Sequence, residues 1–369
     1  MKKTALVYDW LDTKHGGAER VIKVFLQLYP EADIYSSFGE EEILKAWDRS
    51  SSRKIKFSFL QYFPKFFKKN KKWLLPFLPI AFLSFDFSEY DQIISMTSAY
   101  AKCIRTKKSS KHICYLLTPP RYVWEYNIDY PNYDLRRWFI TFLIIILKKL
   151  DQYSANRCSE IITISHFVKN RVKNYYNLDS KVIYPPFDSN YWRELSNKSK
   201  KMNEDFYLIV SRLVSYKKID LVVRAFNELG KNLVIIGAGT ELANLQKIAK
   251  NNIKFIQNVN DDELASYYTH AKALIMPQIE EFGYTSLEAQ ACGCPVITFS
   301  ESGTAETIIE GKTGLVFPSQ SIESLVKIVQ KCDIIYTKLK QSTSTENVDW
   351  LQKFEVATFI KNWQLTVKN

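Results

Sequence analysis

Two carboxylates with seven residues between them, Glu280 and Glu288, bracket a short loop in the stretch from Pro277 to Phe299. The apolar run 273–276 ahead of them has the character of a buried strand, and 295–299 behind them reads as the next strand. In between, Thr285, Ser286, Leu287 and Glu288 have the spacing of a helix-start capping box. Ala289 to Cys292 continue the helix and Gly293 stops it. This places Glu280, Phe282 and Gly283 in the loop between a strand's carboxyl end and a helix N-terminus. In an open α/β sheet ligands bind at such loops, and the free amides of a helix start favour an anion such as diphosphate. A purely structural loop needs no carboxylate pair beside an anion site. Taken alone, the stretch equally fits a bland role, with Glu288 as the capping glutamate and Glu280 as a surface charge.

Cations and glycines of matching use occur elsewhere in the chain. The apolar segment 206–210 reads as a strand that delivers Arg212 and Lys217 into a loop, followed by a helix over 220–229. A cation at a strand end suits a charged ligand, whereas Lys218 fits a solvated surface. Near the N-terminus, strand 3–8 ends at Asp9 and Trp10. His15, Gly16 and Gly17 then precede an amphipathic helix carrying Val21, Ile22, Val24, Phe25 and Leu28 on one side. Paired glycines there permit close backbone approach and leave amides free for phosphate, although many such turns serve geometry alone. Gly237-Ala238-Gly239 follows strand 233–236, but Leu242 stands where a dinucleotide fingerprint has its third glycine, which disfavours NAD. His166, at a helix start, and His270 read as structural.

Composition bounds the answer. The chain of 369 residues is long enough for two domains, with 46% hydrophobic and 24% charged residues, as in soluble globular proteins. No leader-like segment opens it, and the longest apolar run, 139–147, is about half of a bilayer crossing. Six cysteines without a signal peptide point to a reducing cytoplasm, and Cys292-Gly-Cys294 lacks the second ligand pair of a metal site. A net charge of +12 calls for an anionic partner. From Arg53 to Phe85 there are eight basic residues and no acidic one, interleaved with Phe57, Phe59, Tyr62, Phe63, Phe66, Phe67 and Trp73. That mixture suits an anionic membrane interface; the plainer alternative has the aromatics in a core and the lysines in solvent.

Glu280 and Glu288, followed by Ala-x-Ala-Cys-Gly-x-Pro-Val-Ile, resemble the paired-glutamate motif of glycosyltransferase family 4. The segment Gly-Gly-Ala-Glu-Arg-Val at 16–21 is similar to the N-terminal donor loop of that family, and Arg212 and Lys217 match its two cationic contacts to the donor diphosphate. Thr118-Pro119-Pro120-Arg121-Tyr122-Val123-Trp124-Glu125 looks like the acceptor-side segment of its mannosyltransferase branch. The usual His before that Thr is Leu117 here, and the usual Asp is Glu125. The likeness covers nearly the whole chain and is strongest in the second half.

The resemblance implies the GT-B fold: two Rossmann-like, doubly wound α/β domains facing each other across a cleft, with a last helix over 348–364 crossing back to the first. Domain bounds are expected at 1–188, 189–345 and 346–369. It further implies a retaining transfer of a hexose from a nucleotide sugar, with GDP-mannose the leading donor and a polyprenyl-diphosphate-linked saccharide as acceptor. The donor set is Gly16, Gly17, Arg212, Lys217, Val259, Glu280, Phe282, Gly283, Tyr284, Thr285 and Glu288. Arg212, Lys217 and Glu280 are the catalytic members, Glu280 orienting the sugar and Glu288 gripping the ribose. Thr118, Arg121, Tyr122 and Trp124 form the acceptor side. No cofactor or metal is expected, since no Asp-x-Asp motif is evident. The expected location is the inner face of the cytoplasmic membrane, with no nucleic acid partner. A UDP-sugar donor is one alternative, and a catalytically silent nucleotide-sugar sensor, conceivable through Leu117, is another. A basic nucleic-acid-binding protein is a third, opposed by the glutamate pair in the best pocket.

Overall fold

The computed structural model describes residues 3–13, 16–47, 53–69, 71–125, 135–199, 202, 205–345 and 347–368. His15, and the middle of the polar run 197–203, fall outside them. The chain divides into two units, residues 1–185 with 362–369, and residues 186–361.

The N-terminal unit is built on a seven-stranded parallel sheet. Its strands are β1 (Thr4–Tyr8), β2 (Asp33–Ser36), β3 (Ile55–Phe57), β4 (Gln92–Thr97), β5 (Lys111–Leu116), β6 (Glu160–Thr163) and β7 (Lys181–Val182), in the order β3-β2-β1-β4-β5-β6-β7. The central strands are buried along almost their whole length because helices cover both faces of a parallel sheet; β4 is buried at every residue, its Gln92, Ser95 and Thr97 included. The order reverses between β1 and β4, which opens a crevice at their carboxyl ends. Asp9 sits there. Its buried carboxylate accepts hydrogen bonds from Thr97 Oγ1 (2.8 Å) and from the amides of Ser98, Ala99, Tyr100 and Ala101 (2.7–3.1 Å), tying β1 to the turn after β4.

The basic-aromatic segment sorts itself by burial. Leu60, Leu74, Leu78 and Phe82 are core, and Phe63 and Phe67 pack on the same cluster, whereas Phe59, Tyr62, Phe66, Trp73, Phe77 and Ile80 are exposed. Four of its cations have partners. Arg53 donates to the Leu26 and Tyr29 carbonyls, Lys56 to Tyr35 Oη and Lys68 to the Gln61 carbonyl. Lys71 pairs with Asp12 (2.8 Å) over the Trp10 ring. Among the described residues no helix is long and apolar enough to cross a membrane.

The C-terminal unit repeats the plan with β8 (Tyr207–Val210), β9 (Leu233–Ile236), β10 (Ile253–Ile256), β11 (Leu274–Met276), β12 (Val296–Phe299) and β13 (Gly314–Phe317), ordered β10-β9-β8-β11-β12-β13 and parallel throughout. Here the switch point lies between β8 and β11. Gly237 and Gly239, the lone GxG, lie against the Ser211 and Leu213 carbonyls, so close that a β-carbon would clash; they serve backbone packing beside β8.

Two expected elements differ. The helix Tyr336–Thr345 has no counterpart in the sequence reading. The single helix expected over 348–364 is divided into Asn347–Leu351, a 3-10 turn Gln352–Phe354 and Val356–Lys368. Glu355 is extended because the chain pairs there with Phe187: Phe187 N–H donates to the Phe354 carbonyl (2.7 Å) and Val356 N–H to the Phe187 carbonyl (3.2 Å). The last residues belong to the N-terminal unit, where Trp363 is buried against Phe25 and Tyr115 and donates to Tyr29 Oη at 2.8 Å.

Candidate functional site

The loops leaving β8 and β11 flank the switch point of the C-terminal sheet, and they carry the residues singled out by chemistry. After β8 the chain passes Arg212, which is exposed and donates to Tyr216 Oη (2.8 Å), then forms a 3-10 turn over Ser215–Lys217. That turn directs Lys217 inward: it is buried, its ammonium forms an ion pair with Glu280, and it lies over the Tyr216 ring. Glu280 is held on every side. Gln278 Nε2 donates to its Oε1 (3.0 Å), Ser302 Oγ accepts from its backbone N–H (3.0 Å), and Gly303 N–H donates to its carbonyl (2.8 Å). Lys217 and Glu280, 63 positions apart in sequence, thus meet across the switch point.

The next helix is Tyr284–Ala291, and its start corrects the capping box expected over Thr285–Glu288. The N-cap is Gly283, with φ +94°, and no side chain caps the helix. Because Gly283 turns the chain in a left-handed conformation that L side chains rarely adopt, the helix begins two residues earlier than the box requires. Glu288 then stands at the fifth helical position, two residues too deep to reach back to the N-cap amide. Thr285 Oγ1 instead lies 3.6 Å from Met276 Sδ. Beside the helix start stands Thr304, whose buried hydroxyl has no hydrogen-bond partner among the described residues and would lie 2.5 Å from a β-carbon at Gly283. Phe282 is buried and meets the rings of Tyr284 and Phe354, while Tyr284 Oη donates to the Pro186 carbonyl (3.1 Å). Val259 lies in the loop after β10, half-buried.

Glu288 is almost wholly buried and accepts from Tyr268 Oη at 3.2 Å. Burial first, and the neighbouring Glu288 charge second, push the Tyr268 phenol far above its ordinary range, so it stays a donor. Tyr268 was not found from the sequence. It comes from the helix Asp261–His270, two elements earlier in the chain, and no local signal marks it.

The acceptor-side residues of the N-terminal unit form a tied segment at the carboxyl end of β5. Arg171, from the helix His166–Tyr176, donates to Thr118 Oγ1 (3.1 Å) and pairs with Glu125 (2.7 Å), whose other oxygen holds Arg121 (2.9 Å). Trp124 stacks on Tyr175, has Lys148 Nζ over its ring at 5.4 Å and donates its indole N–H to Asp151 (2.8 Å). Asp151 also receives Tyr176 Oη (2.6 Å) and pairs with Lys102 (2.5 Å), both charges fully buried. Tyr122 Oη is buried without a partner among the described residues. Arg171 and Asp151 were absent from the sequence-based set. Gly16 precedes the helix Gly17–Leu28, and Glu19, held by Tyr8 Oη (2.9 Å), folds back beside it. A carboxylate therefore already lies beside Gly16.

Residues 191–332 match the family model described as "Glycosyl transferases group 1". That stretch, under half of the chain, is similar to a glycosyltransferase group 1 domain. Both loops of the switch point lie inside this domain, and the family resemblance read from the Glu280–Glu288 motif agrees with it. Curated relatives are similar over part of the chain. One is a GDP-mannose-dependent alpha-(1-6)-phosphatidylinositol monomannoside mannosyltransferase of Mycolicibacterium smegmatis, 31% identical over 32% of this chain and 36% of that protein. Another is the O-antigen chain mannosyltransferase RfbU of Salmonella typhimurium, 30% identical over 46% of this chain and 48% of that protein. The chain thus matches half or less of the length of these two relatives. Among solved structures, Anabaena HepE in complex with UDP is 17% identical, covers 99% of both chains and gives a TM-score of 0.70. Sucrose-phosphate synthase from Thermosynechococcus elongatus gives 0.72 at 15% identity over 100% of this chain and 99% of that one. At those identities the likeness is one of fold: two Rossmann-like domains of the GT-B type.

Proposed function

We propose that the chain is a retaining hexosyltransferase that moves mannose from GDP-mannose to a polyprenyl-diphosphate-linked saccharide in surface polysaccharide assembly. The observation that carries this reading is the grouping at the β8–β11 switch point. The loops there carry Arg212, the Lys217–Glu280 pair and the Gly283 helix start without a side-chain cap, beside which stands the Thr304 hydroxyl, which has no partner among the described residues. Departure of a diphosphate is the step that needs electrostatic help, and fixed positive groups aimed at the developing charge provide it. Glu280 orients the hexose, Glu288 holds the ribose, and the leaving phosphate takes the acceptor proton on the same face, so neither a protein base nor a metal is assigned. The names of the two mannosyltransferase relatives support the donor choice.

The N-terminal unit carries the acceptor side at Thr118, Arg121, Tyr122 and Trp124, and docks on an anionic membrane through Arg53 to Phe85 on the inner face. The exposed Tyr62, Phe66, Trp73, Phe77 and Ile80 amid lysines support this, since neither the core nor the described ion pairs account for them. A UDP-sugar donor is the second reading, favoured by the fold neighbour solved with UDP. A thermal-shift screen of GDP-, UDP- and ADP-sugars separates the donors: a ligand at 100 times its Kd stabilises by about 2.7 kcal/mol. Hydrolysis or transfer of the stabilising sugar then tests turnover. Stabilisation by none of them overturns the nucleotide-sugar reading, and binding without turnover leaves a sensor.

A further inference from the structure

Lys217 is expected to meet a diphosphate, yet its ammonium is already committed to Glu280. The pairing is not loose. Lys217 is buried, and Glu280 is fixed through its side chain by Gln278 and through its backbone by Ser302 and Gly303. Both partners stand on loops leaving the adjacent central strands β8 and β11, and the backbone bonds of Glu280 to Ser302 and Gly303 hold its loop beside Lys217. An anion that takes Lys217 therefore arrives next to the Glu280 carboxylate, which Gln278 also holds. In a partly buried site that like-charge contact is screened far less than in water.

What offsets the contact is chemistry that only part of the ligand pool has. A hexose attached to the diphosphate offers hydroxyl donors, and Glu280 has acceptor positions beyond those used by Lys217 and Gln278. A bare nucleoside diphosphate has no hydroxyl donor beyond its terminal phosphate and carries one more ionised oxygen there. We propose that Glu280 is a specificity gate that discriminates the nucleotide sugar from the released nucleoside diphosphate. It withholds Lys217 from the product and yields it when hexose hydroxyls satisfy its carboxylate. The gate rests on the nucleotide-sugar reading of this site and adds to it a role in product release.

The test is calorimetric titration of the full chain with GDP, UDP, GDP-mannose and UDP-glucose. Glu280→Gln keeps the side-chain shape and removes the charge, and should bind the preferred bare diphosphate about tenfold more tightly than wild type, a shift of about 1.4 kcal/mol. Its affinity for the nucleotide sugar should rise less or fall, so that the preference for sugar over bare nucleotide shrinks. Glu280→Ala must move in the same direction, which keeps the test open if one variant is unstable. Adding Lys217→Gln to Glu280→Gln should abolish the gain. Equal or weaker binding of the bare diphosphate by both Glu280 variants, where wild type binds it, overturns the gate and leaves the donor reading standing. If wild type binds none of the four at millimolar concentration, the donor reading fails and the gate with it.

Discussion

A buried ammonium paired with a carboxylate is a weak net stabiliser but costly to break from one side, because the abandoned charge stays desolvated. Lys217 is in that position, whereas Arg212 is exposed and bonded only to a tyrosine hydroxyl. Both Arg212→Ala and Lys217→Ala should nevertheless lose transfer, by about 10²–10³ in rate if they act as preorganised charge contacts. Both should keep the circular dichroism of the folded chain, and near-normal turnover in both would remove them from the mechanism. The second residue-scale expectation concerns Tyr268. Its hydroxyl positions Glu288, so Tyr268→Phe should weaken nucleotide binding by about 1.5–3 kcal/mol, the worth of a hydrogen bond to a charged group. Combined with Glu288→Gln, it should add almost nothing. Additive losses in titration would show that the tyrosine does not act through Glu288. The chemistry of Glu280, Arg212 and Lys217 was legible in sequence because each follows an apolar strand. Tyr268 was not, because its partner lies 20 positions away across a helix packing that no local pattern encodes.

At the scale of elements, the segment 53–85 shows how one composition yields two environments. Phe63 and Phe67 face the core while Phe66, Tyr62 and Trp73 face outward, Tyr62 at 90% exposure. Its cations are not equivalent either. Arg53, Lys56, Lys68 and Lys71 are engaged within the unit, so aromatic burial has to supply much of any membrane affinity. Wild-type protein should co-sediment with anionic vesicles and release as salt rises, each basic residue near the surface contributing about 1 kcal/mol. The double variant Phe66→Ser, Trp73→Ser should sediment far less, since these side chains touch little that the fold needs. Equal sedimentation of the two proteins at low salt would exclude this segment as the anchor.

For the whole molecule, the chain's last helix is the informative feature. Residues 362–369 complete the N-terminal unit although they follow the entire C-terminal one. Trp363 fills a place between Phe25 and Tyr115, so Trp363→Ala should cost the N-terminal unit about 3–5 kcal/mol through lost burial and a residual cavity. Two units need not melt together, which makes a single unfolding energy ill defined. Hydrogen exchange resolved by peptide is therefore the suitable readout. Protection should fall in β1, β4 and β5 and persist in β8 to β13; uniform loss across both sheets would contradict the packing described.

What the sequence determined by itself is whatever a window of ten or so residues can encode. Apolar runs set the strands, amphipathic periods set most helices, and a cation or carboxylate just past a strand end marks a loop with chemistry. From such windows came the α/β class and the resemblance at Glu280 and Glu288. Only the tertiary structure decided which loops meet. Strand order places β11 beside β8 while β9 and β10 go to the other side, and that alone brings Glu280 to Lys217. The same non-local packing buried Glu288 against Tyr268, broke the final helix where Glu355 pairs with Phe187, and divided the aromatics of one basic segment between core and solvent. In each case the competing local reading was sound, and a partner distant in sequence supplied the larger free energy.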